Sequence, residues 1–305
     1  MQTSFLQSSQ WEKFQKAYGN QVFRIQGVLL IKNPKTRLSY LYAPRVGKID
    51  SLAIFKDELK VLAKKEKAVF IKIEPNTADI SRDFPHAKPS ATVQPQTTLL
   101  VNLEPSEEKI LDQMRPKIRY NIRLATRHGV EVIEQNTLES FWALAQKTGK
   151  RDNFRYHSKR YFELMLKTLA PKIKIFSATK EGKILASAIV LLWEDIAYYL
   201  HGASLWDARQ LMAPYKLHWE IMKITKRAGC RQYDMWGIAV KIFNDQFPIS
   251  KQIQNYEIDK FHPWAGITRF KLGFAPEGRI INYPDALDLI YRPFWYKIYS
   301  LKKRS

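Results

Sequence analysis

Apolar positions along the chain follow two periods. Val22 to Ile25, Val28 to Ile31, Ser39 to Tyr42, Val69 to Ile73 and Thr97 to Leu103 are short runs rich in β-branched and aromatic residues, bounded by Gly, Pro, Asn or Lys. That pattern predicts strands. Between them Trp11, Phe14 and Tyr18 recur at helical spacing, and Leu59, Leu62 and Ala63 do so within residues 54–67, which predicts two amphipathic helices. The second half repeats the order, with helices around Phe141, Leu144 and Ala145, around Tyr161, Leu164, Met165 and Leu169, and over residues 214–228. Its strands are expected at Ile173 to Ala178, Ile184 to Trp193, Ile196 to His201 and Gln232 to Trp236. Strands interleaved with helices predict an α/β fold of mixed α+β layers, and the similar order suggests a duplicated unit without any residue-level repeat.

Ser106 to His128 carries the most information of any helical stretch. Ser106 is placed to cap a helix whose first turn holds Glu107 and Glu108, as the helix dipole prefers. Leu111, Met114, Ile118, Ile122 and Ala125 then form one buried stripe, and Pro116 within it requires a kink or a restart. Lys109, Arg115, Lys117, Arg119, Arg123 and Arg127 lie off the stripe, and Gly129 stops the helix.

Composition narrows the class. Of 305 residues, 45% are hydrophobic and 26% charged, which excludes disorder over the whole length and fits one large or two ordinary domains. Fifty Lys and Arg against 29 Asp and Glu give a net charge of +21, so polyanionic partners are favoured, whether nucleic acid, phosphorylated metabolites or anionic lipid. The single cysteine, Cys230, forbids an intrachain disulfide and reads as a packing residue in a reducing compartment. The start, MQTSFLQSSQWEK, has no secretory pattern. Ile184 to Trp193, the longest nearly apolar run, is about half of the roughly 20 residues that a spanning helix needs, so it reads as a buried strand.

Conventional catalytic signatures are missing. There is no G-x-S-x-G, no phosphate-binding G-x-x-x-x-G-K-[ST], no H-E-x-x-H and no C-x-x-C pair, and the six histidines show no metal-ligand spacing. A metal is not expected. What remains is a series of pieces: HGAS at 201–204, RQLMAPYKLHW at 209–219, YDMWGI at 233–238 and ITRFKLGFAPE at 267–277, preceded by QSSQWEKFQK, TVQPQTTLLVNL and KIRYNIRLATRHGVEV in the first half. In their order and spacing these resemble the Fem (FemX- and FemAB-like) family of non-ribosomal peptidyltransferases. The resemblance spans nearly the whole chain.

The resemblance implies an aminoacyltransferase of peptidoglycan synthesis and cell shape, cytoplasmic and free of cofactor. Its donor would be aminoacyl-tRNA and its acceptor the stem peptide of lipid II or of a UDP-linked muropeptide. It also implies two fused GNAT-like acyltransferase domains without a coiled-coil arm. The first, for acceptor binding, would take residues 1–137 plus 285–305; the second, with the reaction site, would take 138–284. Lys271 matches the lysine that the family places on a second-domain strand, where its ammonium would stabilise charge on the donor carbonyl. Asp234 is a candidate to orient or deprotonate the attacking amine, or simply to close a turn. Arg155 and His157 align with places that hold precursor phosphates, and His201, Tyr215 and Trp236 with the stem-peptide side. At His157 and His201 the chain departs from an arginine and a tyrosine of some members; the plainer reading of both histidines is hydrogen bonding near the core.

Arg115, Lys117, Arg119, Arg123 and Arg127 are the candidate tRNA contacts, against the alternative of a solvated helix face. The tail, residues 291–305, mixes aromatics with Lys and Arg. Either Tyr291, Trp295 and Ile298 pack a helix onto the first domain, or the segment meets the inner face of a membrane as a peripheral contact. Two other functions stay open on the residues alone: a GNAT-like N-acyltransferase using acyl-CoA, whose [QR]-x-x-G-x-[GA] turn is not evident, and a non-catalytic RNA-binding protein.

Overall fold

The structure, a computed structural model, describes residues 4–32, 38–243 and 256–302. After a 3-10 turn at Phe5–Gln7, helix α1 (Ser9–Tyr18) starts where Ser8 accepts from the Trp11 N–H and stops at Gly19, which takes a left-handed φ of 98°. Strands β1 (Gln21–Ile25), β2 (Val28–Lys32) and β3 (Leu41–Val46) follow, then α2 (Leu52–Lys65), β4 (Phe70–Pro75), α3 (Ala78–Arg82) and β5 (Lys88–Ser90).

The chain continues through β6 (Thr97–Asn102), α4 (Glu107–Gln113), α5 (Pro116–Arg127), β7 (Glu131–Gln135), α6 (Glu139–Arg151) and α7 (Lys159–Leu169). Next come β8 (Ile173–Lys180), β9 (Lys183–Trp193), β10 (Ile196–Ser204), a 3-10 turn at Trp206–Leu211, and α8 (Ala213–Arg227). Then follow β11 (Gln232–Gly237), the hairpin β12 (Val240–Ile242) and β13 (Tyr256–Ile258), α9 (Ala265–Phe274) and β14 (Arg279–Asn282), and finally β15 (Ala286–Ile290) and α10 (Pro293–Lys302).

The contacts divide the chain into two units, one of residues up to Gln96 together with those from Asn282 onward, the other Thr97–Ile281. This moves the expected boundary at 137. Residues 97–137 belong with the second unit because β6 pairs antiparallel with β11, and because Ile110, Met114, Ile118, Ile122 and Ala125 share one core with Leu217, Ile221 and Phe274. Pro116 does impose a restart. It sits in the first turn of α5, where its missing N–H costs nothing, with Arg115 as the cap.

The first unit is a six-stranded sheet in the order β1-β2-β3-β4-β15-β5, with Leu30, Leu41, Phe55, Leu59, Ile71 and Ile73 in its core. Among the described strands of this sheet only β3 and β4 run parallel. The returning C-terminal segment inserts β15 antiparallel between β4 and β5 and lays α10 over Phe70 through Tyr296 and Tyr299, with ring centroids 5.2 and 4.8 Å away. Trp295 is exposed and Ile298 half-buried. The packing face is thus set one residue later than the tail's pattern suggests, because the Tyr296 hydroxyl donates to Asp288 at 2.8 Å; Asp288 in turn holds the buried Lys72 ammonium at 2.7 Å.

The second unit is a seven-stranded sheet, β14-β6-β11-β10-β9-β8-β7. β10 and β11 run parallel in it, joined through α8, just as β3 and β4 are joined through α2. Each unit therefore contains one strand-helix-parallel strand crossover, in keeping with the similar order of elements in the two halves. Cys230 is buried at the entry to β11, where desolvation pushes its thiol up to about 11 and so disfavours the nucleophilic thiolate.

Candidate functional site

In the second unit two parallel strands separate. β10 and β11 pair over Ile196–Gln232, Ala197–Tyr233 and Tyr198–Asp234. Beyond that register β10 bulges between Tyr199 and His201 and continues on β9, while β11 is irregular between Asp234 and Gly237 where it lies on β6. Bulges redirect strands and re-aim side chains. The irregularity in β11 is held by Asp234, only 2% exposed, whose Oδ1 accepts from the Trp236 N–H at 2.7 Å while Trp236 adopts a φ of 62°. An Asp closing a tight turn two residues on is a common device. The Trp236 ring stands edge-on to Tyr198, 6.1 Å between centroids.

Beside this opening lies Lys271, only 6% exposed, whose Nζ donates to the Gly237 carbonyl at 2.7 Å. It sits in the last turn of α9, not on a strand as the family resemblance implied. Segment 265–274 buries Thr268, Lys271 and Leu272 at helical spacing, and Thr268 ties the helix to the sheet by accepting from the Ala239 N–H at 2.9 Å. Desolvation brings the Lys271 ammonium down to about 8, with Asp234 working against the shift. His218 on α8 lies close enough for the charge of Lys271 to act on it. Its Nδ1 lies 2.9 Å from the Tyr233 hydroxyl, and burial, reinforced by the charge of Lys271, holds the imidazole down to about 3, so it is neutral. Tyr199 lies against both, 4.6 Å from the His218 ring and 5.7 Å from the Lys271 nitrogen.

A partly desolvated ammonium next to divergent strand ends can stabilise negative charge that develops on a carbonyl oxygen. Among the described residues no group of three His, Cys, Asp or Glu is arranged to hold a metal ion.

The FemAB family model matches residues 81–181 and 172–304, most of the chain. The chain belongs to the FemAB family. It is 26% identical over 179 residues to a UDP-N-acetylmuramoylpentapeptide-lysine N(6)-alanyltransferase of Weissella viridescens, covering 57% of this chain but only about half (53%) of that relative's length. It is 25% identical over 300 residues to a lipid II:glycine glycyltransferase of Staphylococcus haemolyticus (strain JCSC1435), covering 69% of this chain and 72% of that protein. The crystal structure of FemX superposes with a TM-score of 0.76 at 19% identity, over 97% of this chain and 94% of that one. A tandem GNAT protein from the clavulanic acid biosynthesis pathway follows at a TM-score of 0.51 and 8% identity, over 88% of this chain and 81% of that one. The fold is accordingly that of FemX, with GNAT-like layers.

In this FemAB chain the other sequence candidates are dispersed. Tyr215 is half-buried, its ring against Phe270 at 5.0 Å and Phe274 at 6.2 Å, so it supports α9 from behind. His157 stacks on Tyr161 at 3.9 Å and meets the His201 ring edge-on at 6.2 Å, so these two come together, with Phe162 4.9 Å from His201. Burial, with a smaller contribution from His157, lowers His201 to about 3. Arg155 is exposed on the loop that carries His157.

Of the five cations on and before α5, Arg115, Lys117, Arg123 and Arg127 are exposed. Arg119 is not free for a phosphate in the same way. It is half-buried, and its Nη1 donates to the Asp112 carbonyl at 2.8 Å and to that of Met114 at 2.5 Å, closing the end of α4.

Sequence reasoning missed His218, Tyr199 and the Gly237 carbonyl. His218 follows Leu217 on the buried face of α8, and a histidine inside an apolar stripe is the signal that could have found it. Nothing along the chain marks a backbone oxygen as a lysine's partner.

Proposed function

We propose that this chain is an aminoacyltransferase that moves an amino acid from an aminoacyl-tRNA onto the stem peptide of a peptidoglycan precursor. The observation that carries the reading is the buried Lys271 ammonium, set where β10 and β11 part, in a chain whose relatives are named as alanyl- and glycyltransferases of such precursors.

An aminoacyl ester is already activated, so the protein needs to align the reactants and to stabilise charge. The neutral amine of the acceptor attacks the ester carbonyl, and the carbonyl electron pair moves to oxygen. The Lys271 ammonium, fixed by Gly237, faces that oxyanion with its remaining donors. Collapse forms the amide and expels the ribose oxygen, which takes up the proton lost by the amine. No cofactor enters. Asp234 is committed to the Trp236 N–H and helps keep Lys271 charged; we assign it that supporting part rather than that of the base.

The second unit bears the reaction site and, with it, the side chains that we assign to the acceptor. Arg155 and His157 suit the phosphates of either precursor, lipid-linked or nucleotide-linked, and His201 and Trp236 suit the peptide. The exposed cations Arg115, Lys117, Arg123 and Arg127 suit the RNA backbone, whose affinity is sequence-independent and salt-sensitive. On α10 the outward Phe294, 70% exposed, and the exposed Trp295 and Leu301 lie beside Arg292 and Lys297, a mixture suited to an anionic headgroup interface at the inner face of the membrane. Among the described residues no helix is long and apolar enough to cross a bilayer.

Incubation of the protein with charged tRNA and with acetyl-CoA, each with lipid II and with a UDP-linked muropeptide, tests the reading by product mass. A precursor heavier by one aminoacyl residue only with charged tRNA is expected; an acetylated product, or none, would reject it. Flotation with anionic vesicles, comparing the whole chain with one ending at Ile290, tests the membrane contact. Equal flotation of the two would remove α10 from it.

A further inference from the structure

The bulge in β10 has an unusual interior. Gly202 has no Cβ, and a Cβ built there would lie 1.7 Å from the Tyr199 hydroxyl and 2.5 Å from its Cζ. The phenol therefore occupies the space that any other residue at 202 would fill. Tyr156 fixes the same segment by donating its hydroxyl to the Gly202 carbonyl. Held in this way, the Tyr199 ring turns toward α9, with its centroid 5.7 Å from Lys271 Nζ.

We propose that Tyr199, seated by Gly202, is the positioning residue that keeps Lys271 cationic and fixed for acyl transfer. This rests on the role given to Lys271 above. The face of an aromatic ring is the negative part of its quadrupole and attracts an ammonium within about 6 Å, more strongly where water is excluded. The ring thus opposes the desolvation that drives Lys271 toward its neutral form.

A small contribution decides the outcome here. With Lys271 near 8 it is mostly charged at neutral pH; a downward move of about one unit would leave a large share of molecules without the cation. Tyr199 itself stays a neutral phenol, since burial pushes its hydroxyl up to about 12.

The titratable groups that face Lys271 are few. Asp234 on β11 favours the charged form, and His218 on α8 is neutral. Among the other elements packed on α9 are α5, β6 and β13. α5 meets the helix through Ile118 at Gly273, β6 has no titratable side chain, and β13 brings Tyr256 and the exposed Glu257. Tyr199 is the ring face offered to the Lys271 nitrogen among the described residues.

Three variants test this: Tyr199→Leu, Tyr199→Phe and Gly202→Ala. Two readouts are needed, the basic limb of the kcat–pH profile and, without substrate, the titration of Lys271 by NMR of [13Cε]lysine-labelled protein, assigned with Lys271→Arg. Tyr199→Leu should move both to lower pH by about half to one unit, and Tyr199→Phe, which keeps the ring, should leave both in place. Gly202→Ala should behave like Leu because it expels the phenol. Tyr199→Met, which fills similar space without a π-face, stands in if the Leu variant does not fold.

An unmoved Lys271 titration in Leu and Met, or equal shifts in Phe and Leu, would overturn the proposal. Unimpaired transfer by Lys271→Met would instead reject the catalytic reading of Lys271, and the NMR titration would still decide whether Tyr199 governs its charge.

Discussion

Arg115 and Gly273 are joined main chain to main chain: the Arg115 N–H donates to the Gly273 carbonyl at 2.9 Å, two residues beyond Lys271. The start of the basic helix α5 is thereby fixed to the end of the helix that carries the ammonium. The approach is close because Gly273 lacks a side chain. A Cβ there would stand 2.7 Å from Ile118 Cδ1 and 2.8 Å from its Cγ1.

Gly273→Ala should therefore separate α5 from α9, costing about 1–3 kcal/mol by overpacking and lowering turnover through displacement of Lys271. Ile118→Ala introduced with it should recover part of the loss, since the two side chains compete for one space. Chemical denaturation and transfer rates of the single and double variants measure this; strictly additive effects would refute it.

Arg123 and Arg119 lie one turn apart on α5 with different duties. Arg123→Glu should weaken tRNA binding and flatten its salt dependence by roughly one to two counterions, with stability nearly unchanged. Arg119→Ala removes two hydrogen bonds at the end of α4 and should cost about 1–2 kcal/mol of stability, with a smaller effect on the salt slope. Binding titrations across a range of salt, set against melting curves, separate the two.

Lys271→Met should lower the transfer rate by about 10²–10³-fold, the usual loss when one oxyanion donor is removed, with little change in tRNA or precursor binding. The stability signature is independent of substrate. In the unfolded chain this lysine keeps its proton to about 10.5, whereas in the folded chain it releases it near 8. The unfolded state thus binds more of this lysine's proton between these values, and the Lys271 contribution to stability should rise with pH across that window, against the opposite contributions of Cys230 and the buried tyrosines. The Met variant should lack this contribution, so the difference in denaturant midpoint between wild type and variant should grow in favour of wild type from pH 8 to 10.5.

His201 and His218 are both held down to about 3 by burial. Unfolded, each would take a proton below about 6.5, so stability should fall as pH drops from 6.5 toward 3, by up to about 1.4 kcal/mol per pH unit for each histidine. His201→Phe should reduce this acid sensitivity. An identical acid-unfolding curve for wild type and variant would show that His201 is not buried as a neutral ring.

The amino-acid sequence by itself determined most of the elements and the family. Periods of two and of three to four residues located β1, β2, β4, β6 and β8 to β11, as well as α1, α2 and α4 to α8, because those segments bury one face against a core and the side-chain pattern records it. It also placed the restart at Pro116 and the cap at Ser106, which depend on nearest neighbours only.

Only the tertiary structure decided where the units divide, that Lys271 lies on a helix, which face of α10 packs, and that Arg119 closes a helix end. Each of these turns on a partner far along the chain: β6 on β11, Lys271 on Gly237, Tyr296 on Asp288, Tyr199 on Lys271. A lysine's charge is set by the dielectric and the dipoles around it, and those are supplied by residues that no local pattern brings together.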